Sequence, residues 1–147
     1  MAQPPTAPVK LKLITTITHK GQKPEKIELW STGTIMRKRD QVYLQYEEIL
    51  EDKKMKTTLR FGENDAIIMR NGDIKMRLPF TLHAFQRGHY EAAFGTMPIM
   101  TLTKKMAFDE AEDGSNSGRF FVHYELLAGD ESVGEYVLEL KYTEGTE

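Results

Sequence analysis

Apolar and polar residues alternate in short runs along almost the whole chain, and turn-forming residues separate the runs. The run from Tyr136 to Thr143, for example, places a tyrosine or a leucine at every second position. About ten runs of this kind follow one another, and none is separated from the next by a helical pattern of roughly 10 to 15 residues. The pattern predicts an all-β protein and excludes a parallel sheet with crossover helices.

The even spacing of the runs favours a closed sheet, because closure removes the unpaired edges of an open sheet. Gly33 lies in the middle of the run from Ile27 to Met36, where an isolated glycine is typical of a bend or bulge that curls a sheet. We therefore predict a single antiparallel, mainly up-and-down β-barrel of about eight to ten strands. A β-sandwich is the alternative.

The chain of 147 residues is long enough for one domain with its own core. Pro4, Pro5 and Pro8 favour an extended start without regular structure. We predict that residues 1–8 form a disordered Pro-rich tail and that residues 9–147 form a single barrel domain.

Composition excludes several classes of function and suggests a compartment. Cysteine is absent, so disulfides, thiol catalysis and Cys-ligated zinc are excluded. The first residues do not resemble a secretory signal, and no apolar run reaches the roughly 18 residues of a membrane span. The net charge of −2 argues against a nucleic-acid partner. We expect a cytoplasmic protein without a membrane partner, and its oligomeric state stays open.

Asn71-Gly72 joins two short apolar runs and predicts a hairpin with a two-residue type I′ turn. In that register Arg70 pairs with Asp73 as an exposed cross-strand ion pair. The alternative is an inward Arg70 whose guanidinium pairs with the carboxylate of a ligand. The predicted lumen-facing side of the hairpin comprises Ile67, Met69, Ile74 and Met76. Arg70, Asn71, Gly72 and Asp73 are therefore predicted to be structural, and the inward positions of the barrel are predicted to be uncharged.

Two motifs make the chain similar to a known family. They are M-R-N-G-D-I-K-M at residues 69–76 and Y-E-A-A-F-G at residues 90–95. With them, the chain resembles the YwiB-like family of bacterial proteins of unknown function from about Lys10 to Thr143. The resemblance implies a lipocalin-like, calycin-type barrel, and it supplies no established active residues. The G-x-W motif of true lipocalins is missing, because Glu28 and Leu29 precede Trp30.

A barrel of this size is either filled with side chains or holds one small ligand. Our leading hypothesis is a non-enzymatic barrel that binds a small, largely apolar ligand, and the eight methionines favour an adaptable pocket. A filled lumen is the alternative. The predicted ligand-contacting residues in the lumen are Leu29, Tyr46, Phe61, Met69, Met76, Phe120 and Tyr124.

Charge is distributed unevenly and suggests a second hypothesis. Residues 1–77 carry 15 Lys/Arg against 10 Asp/Glu, whereas residues 78–147 carry 5 against 12. A closed barrel would therefore have one basic and one acidic wall. The basic outer wall, with Lys54, Lys56 and Arg60, could serve a protein-interaction module, and Trp30 lies among its early strands.

A third hypothesis is an enzyme with a site at the barrel mouth, built from His83, His89 and Tyr90. The spacing of these histidines fits no common zinc motif, and no nucleophile or phosphate-loop motif is present. We predict no catalytic residue, no metal and no cofactor. Whether His19, His83, His89 or His123 has a function stays open.

Overall fold

The computed structural model describes residues 6–50, 52–62 and 64–145. Within them the chain forms ten β-strands joined by short connections. The strands are β1 (Thr6–Thr18), β2 (Glu25–Lys38), β3 (Gln41–Leu50), β4 (Lys53–Phe61), β5 (Asp65–Gly72), β6 (Lys75–Thr81), β7 (Phe85–Ala92), β8 (Gly95–Glu110), β9 (Gly118–Ala128) and β10 (Glu131–Glu144). In these residues no helix is long and apolar enough to cross a bilayer.

Each strand pairs with its neighbours in the chain, and β1 pairs with β10 to close the barrel. All of the paired strands are antiparallel. The antiparallel up-and-down barrel predicted from the sequence is therefore confirmed, at ten strands. The lipocalin-like or calycin-type classification stays a prediction. We call the end that carries the β1–β2, β3–β4 and β5–β6 connections the upper end, and the opposite end the lower end.

β1 begins at Thr6, so the predicted tail of residues 1–8 extended too far into the chain. Pro8 lies opposite Thr34 of β2, whereas pairing between β1 and β10 starts only at Val9. A proline is tolerated there because its missing N–H is not needed for a ladder bond, and its carbonyl accepts a bond from Gly145 N at 3.0 Å. The rest of the predicted tail lies outside the described residues.

The lower half of the lumen is filled with aromatic and aliphatic side chains. Phe61 lies at 4.5 Å between ring centroids from both Phe108 and Phe120. Phe61, Phe80 and Phe120 are fully buried. Burying a side chain of this size stabilises the fold by about 1.5–3 kcal/mol. The lower half is therefore a packed apolar core, with a small recess of about 60 Å³ beside Phe61 and Phe108.

The connection between β8 and β9 is held against the lower end of the barrel. Arg37 of β2 donates to Asn116 Oδ1 at 2.6 Å and to Glu110 Oε1 at 2.8 Å. Asn116 in turn donates to Glu144 of β10 at 3.0 Å. The connection thus reaches past β10 and β1 to β2, and it ties three parts of the lower end together.

The hairpin between β5 and β6 has a different register from the one predicted. Arg70 pairs with Met76, which leaves residues 71–75 between the partners. Asn71 does not adopt the positive φ that a type I′ turn requires, and Gly72 (φ 152°) instead continues β5 opposite Met55 of β4. The predicted partner of Arg70, Asp73, accepts a bond from the backbone of β4, at Lys54 N and 3.0 Å.

This register reverses the predicted orientation of Arg70, Met69 and Ile67, and Ile67 lies on the same outer face as Met69. Arg70 shares its face with the buried residue Ile68 and lies toward the lumen, so the predicted exposed pair with Asp73 is wrong. Met69 lies on the outer face, and its assignment to the lumen is also wrong. Met76 does face the lumen, as the partner of Arg70.

Candidate ligand site in the upper lumen

The upper half of the lumen contains both polar and apolar side chains. Tyr46, Thr57, Arg70, Met76 and Tyr90 are consecutive pairing partners across β3 to β7, so they form one inward-facing row. The row lies one layer above the apolar row of Leu44, Leu59, Ile68 and Leu78. The polar groups of the upper half are thus placed on top of the core.

Glu48 lies one inward position above Tyr46, and its side chain is only 3% exposed. Its Oε1 accepts a hydrogen bond from Thr57 Oγ1 at 2.9 Å and lies 3.5 Å from Arg70 Nε. A carboxylate at such a depth requires a partner, because desolvating an unpaired charge costs several kcal/mol. Glu48 and Arg70 therefore form a buried ion pair, and the prediction of uncharged inward positions is wrong.

Most of the hydrogen-bonding capacity of Arg70 is not used by the described residues. Its buried Nε has no hydrogen-bond partner among them, because its 3.5 Å separation from Glu48 Oε1 is long for a hydrogen bond. Its Nη1 donates a long bond of 3.9 Å to the sulfur of Met76. The side chain is 22% exposed. A guanidinium has five N–H donors in a planar fork, so this one can still accept an anion.

Two buried tyrosines flank the charged pair. Burial raises the pKa of Tyr46 far above its usual range, the charge of Glu48 adds to this rise, and Arg70 opposes it. Burial likewise raises the pKa of Tyr124, and Arg70 again opposes the rise. Both hydroxyls are neutral at physiological pH and can donate hydrogen bonds.

An apolar ring surrounds these polar groups near the upper end. Tyr124 stacks on Tyr136 at 5.2 Å between ring centroids, and its contact with Phe80 at 4.7 Å joins it to the core of the lower half. The partly buried apolar residues that pack on the core here are Leu29, Met76, Tyr90, Leu126, Ala128 and Tyr136. They retain exposed surface, unlike the fully buried aromatic residues of the lower half.

The structure divides the seven predicted lumen residues into three groups. Leu29, Tyr46, Met76 and Tyr124 lie in the upper lumen. Phe61 and Phe120 face inward but belong to the filled lower half, and Met69 lies outside. Glu48 was missed as a member of the site, and Arg70 was predicted to be exposed, with an inward ligand-binding arginine as the alternative. The face shared by Val42, Leu44 and Tyr46 extends to Glu48 and could have indicated it, but Arg70 needed the hairpin register.

The barrel wall is incomplete between β2 and β3 in the upper half. Their pairing runs from Lys38 and Gln41 to Gly33 and Tyr46, and it stops there. A cleft of about 600 Å³ opens beyond this point, and its lining includes inward Leu29 and Tyr46 as well as outward Trp30. Tyr46 thus borders both the cleft and the polar row of the lumen.

The residues proposed for an enzyme at the barrel mouth do not come together. His89 and Tyr90 are neighbours on β7 and therefore lie on opposite faces of the sheet, with His89 exposed. His83 lies exposed in the connection between β6 and β7. His19 bonds the carbonyl of Val133 at 2.8 Å, and His123 lies 3.7 Å from Glu135. Over residues 6–50, 52–62 and 64–145, no cluster of three metal-binding side chains is present.

Comparisons with known proteins agree with the barrel and with the sequence resemblance. A family model described as "Domain of unknown function (DUF1934)" matches residues 11–140. The chain is 31% identical over 139 residues to the "Uncharacterized beta-barrel protein YwiB" of Bacillus subtilis (strain 168), with 95% of each chain covered. It matches the crystal structure of the ywiB protein from Bacillus subtilis with a TM-score of 0.85 and 29% identity, covering 96% of this chain and 94% of that one. The chain therefore belongs to the DUF1934 family and has the β-barrel fold of YwiB.

Proposed function

We propose that the protein binds a small ligand with an apolar body and a carboxylate in the upper half of its lumen. The observation that carries this proposal is the guanidinium of Arg70, which lies inside the barrel with unused donors. It refines the sequence-based hypothesis of an apolar ligand, because an inward arginine adds an anionic group to the ligand. The cytoplasmic location expected from the sequence is part of the same proposal.

Arg70 suits a carboxylate because a guanidinium can donate two parallel hydrogen bonds to the two oxygens. The charge of Arg70 lowers the pKa of both Tyr46 and Tyr124, against the rise that burial causes, so it lies near both hydroxyls. Both hydroxyls are neutral and can donate hydrogen bonds. A ligand oxygen held by Arg70 could therefore accept a further bond from a tyrosine. The site has the composition expected of a small-molecule pocket, with a few convergent polar groups among apolar ones.

The apolar body would lie along the ring of partly buried residues above Arg70. Met76 and Tyr136 retain surface that a ligand can cover. Met76 can adapt to different shapes because its side chain is unbranched and flexible. The filled lower half sets the depth of the site, so the ligand would extend from Arg70 toward the upper end.

Glu48 has a specific role in this proposal as the internal counter-ion of Arg70. Its charge stabilises the charged arginine when no ligand is bound, but it repels the carboxylate of a ligand that binds to Arg70. Removing the charge of Glu48 should therefore strengthen ligand binding, whereas removing Arg70 should abolish the preference for an acid. The opposite signs of the two effects separate this mechanism from simple damage to the pocket.

The test is a fluorescence titration with cis-parinaric acid and with its methyl ester. We expect saturable binding of the acid and weaker binding of the ester by the unmodified protein. Glu48→Gln should tighten binding of the acid. Arg70→Met should weaken it by about 30-fold or more, since truncating one member of a buried charged contact costs about 2 kcal/mol or more.

The double variant Glu48→Gln/Arg70→Met is the matched control, because it removes both buried charges and leaves neither uncompensated. It should fold and bind the acid and the ester equally. Equal binding of the two probes by the unmodified protein, or an unchanged preference in Arg70→Met, would reject the proposal. Absence of saturable binding of either probe would reject it as well.

A further inference from the structure

Strand pairing between β2 and β3 leaves backbone edges without a neighbour. Pairing ends at Gly33 and Tyr46, yet β2 extends on to Glu25 and β3 to Leu50. Within the described residues, the β3-facing edge of residues 25–32 and the β2-facing edge of residues 47–50 therefore lack a strand partner. One carbonyl there, that of Glu47, accepts a bond from Ser31 Oγ at 3.2 Å. Unpaired strand edges of this kind are templates for an added strand.

Gly33 marks the point at which the two strands separate. A Cβ at this position would lie 2.1 Å from the carbonyl oxygen of Gln45 and 3.0 Å from the Cβ of Tyr46. The two backbones are thus in close contact at Gly33 and diverge above it. The bend predicted at Gly33 from the sequence is consistent with this local geometry.

The cleft between the separated strands has an apolar surface at its opening. Trp30 is 64% exposed and Ile49 is 62% exposed, and both line the cleft of about 600 Å³. These side chains belong to the two facing edges, one to β2 and one to β3. An added strand would therefore find backbone partners and apolar side-chain contacts in the same place.

Positive charge surrounds the cleft. Lys12 Nζ lies 5.4 Å from the centre of the Trp30 ring, and Lys56 lines the cleft. Lys54 lies on β4 beside Ile49, which is its pairing partner. The carboxylates nearby are Glu47 and Glu28, and Glu28 lies 3.6 Å from Lys26. Cations therefore outnumber carboxylates at this part of the wall, in agreement with the basic first half of the chain.

We propose that the β2–β3 cleft binds an extended, acidic peptide segment of a partner protein, which adds as a strand along the free edge of β2. The unpaired backbone selects an extended segment, Trp30 and Ile49 select apolar side chains, and the lysines select acidic ones. Lys54 and Lys56 of the predicted basic wall lie at this cleft, whereas Arg60 lies lower on β4, opposite Tyr43. Leu29 and Tyr46 border both sites, but Arg70 does not line the cleft, so the two proposals are tested by different probes and variants.

Trp30 is the only tryptophan of the chain and lines the cleft, so its fluorescence reports binding directly. The probe is an octapeptide of alternating Glu and Val residues with blocked ends. We expect a saturable blue shift of the Trp30 emission on titration. The same peptide N-methylated at its four central residues should bind at least tenfold more weakly, because it cannot donate backbone hydrogen bonds to the edge.

Charge is tested with the variant Lys12→Glu/Lys56→Glu, which should also bind the probe at least tenfold more weakly. The matched control is Arg87→Glu/Lys105→Glu, on exposed positions of β7 and β8, and it should bind as the unmodified protein does. Equal binding of the N-methylated peptide, or of a Lys/Val peptide, would overturn the proposal. So would absence of binding. If the Trp30 emission shifts with protein concentration in the absence of peptide, the cleft binds a second copy of the chain, and this result would also overturn the proposal.

Discussion

At the scale of single residues, the account depends on the buried groups of Glu48 and Thr57 and on the partly buried Arg70 beside them. Thr57 is fully buried, and its hydroxyl donates to the same oxygen of Glu48 that lies nearest Arg70. The Glu48 carboxylate thus accepts a hydrogen bond from Thr57 and lies beside both the Arg70 guanidinium and the Tyr46 hydroxyl. Together they place opposite charges inside the upper half of the lumen, and this arrangement is the basis of the proposed ligand site.

Replacing Thr57 by valine should destabilise the protein by about 1–3 kcal/mol, because it removes a donor from a buried acceptor while keeping the side-chain shape. Urea denaturation measures this change in the free energy of unfolding. Thr58→Val is the control, since Thr58 lies on the outer face, where it accepts a 3.3 Å bond from Gln45. Equal effects of the two substitutions would show that the hydroxyl of Thr57 does not support Glu48.

Tyr142 gives a pH-dependent prediction at the lower end. Burial raises its pKa to about 12, the charge of Glu110 adds to the rise, and Arg37 opposes it. Its buried hydroxyl has no hydrogen-bond partner among the described residues. Because the pKa is higher in the folded state than in the unfolded state, its contribution to stability is complete below pH of about 10 and declines as the pH rises toward about 12.

Tyr142→Phe should therefore lose less stability than the unmodified protein between pH 10 and pH 12. At pH 7 it should be at least as stable, since it removes a hydroxyl that is buried without a partner. Urea denaturation at several pH values gives both comparisons. A variant that is less stable at pH 7 would mean that the hydroxyl has a partner, such as a buried water molecule.

At the scale of strands, simple alternation predicted which faces of β3, β4, β9 and β10 point inward, because large apolar residues occupy every second position there. It did not predict the β5–β6 register, because Asn-Gly is typical of the centre of a two-residue type I′ turn, whereas Gly72 here continues β5. Gly72 is instead needed for its close approach to β4, a contact that no local pattern reveals. The inward place of Arg70 follows from that contact, so the main polar group of the site was out of reach of the sequence alone.

Gly72→Ala tests this explanation of the register. A Cβ at Gly72 would lie 2.4 Å from the carbonyl oxygen of Lys54, and φ is 152°. Gly95→Ala is the matched control, because Gly95 also has a positive φ of 130° but has open space around its Cβ position. We expect Gly72→Ala to lower the midpoint of urea denaturation clearly more than Gly95→Ala. Similar midpoints would show that contact with β4 does not hold the register.

At the scale of the whole molecule, the barrel combines an apolar lower half with an upper half that contains polar groups and only partly buried apolar side chains. Aromatic stacking around Phe61 and the Arg37 contacts close the lower end. The upper end has partly buried apolar residues, the charged pair and a split wall. The sequence-based alternatives of a filled lumen and a ligand-binding lumen thus apply to different halves of one barrel, with ligand binding in the upper half as our proposal.

This division predicts that stability and binding can be changed separately. Phe120→Ala should cost about 3–5 kcal/mol by leaving a cavity in the lower core, while the affinity for cis-parinaric acid stays within about twofold. Tyr136→Ala should weaken binding more than Phe120→Ala does, with a smaller loss of stability. Denaturation and titration of the two variants measure both quantities. A loss of affinity in Phe120→Ala without a loss in Tyr136→Ala would place the ligand in the lower half.

The central claim is that Arg70 receives the carboxylate of a ligand, and the Nε–H resonance of Arg70 in a ¹H–¹⁵N spectrum tests it most directly. Arg70→Met assigns the resonance by its disappearance. On titration with decanoic acid we predict a saturable downfield shift of this resonance, and with 1-decanol, which lacks the charge, a much smaller one. A resonance that stays in place while decanoic acid shifts other residues of the barrel, or one that responds equally to both compounds, would contradict the account.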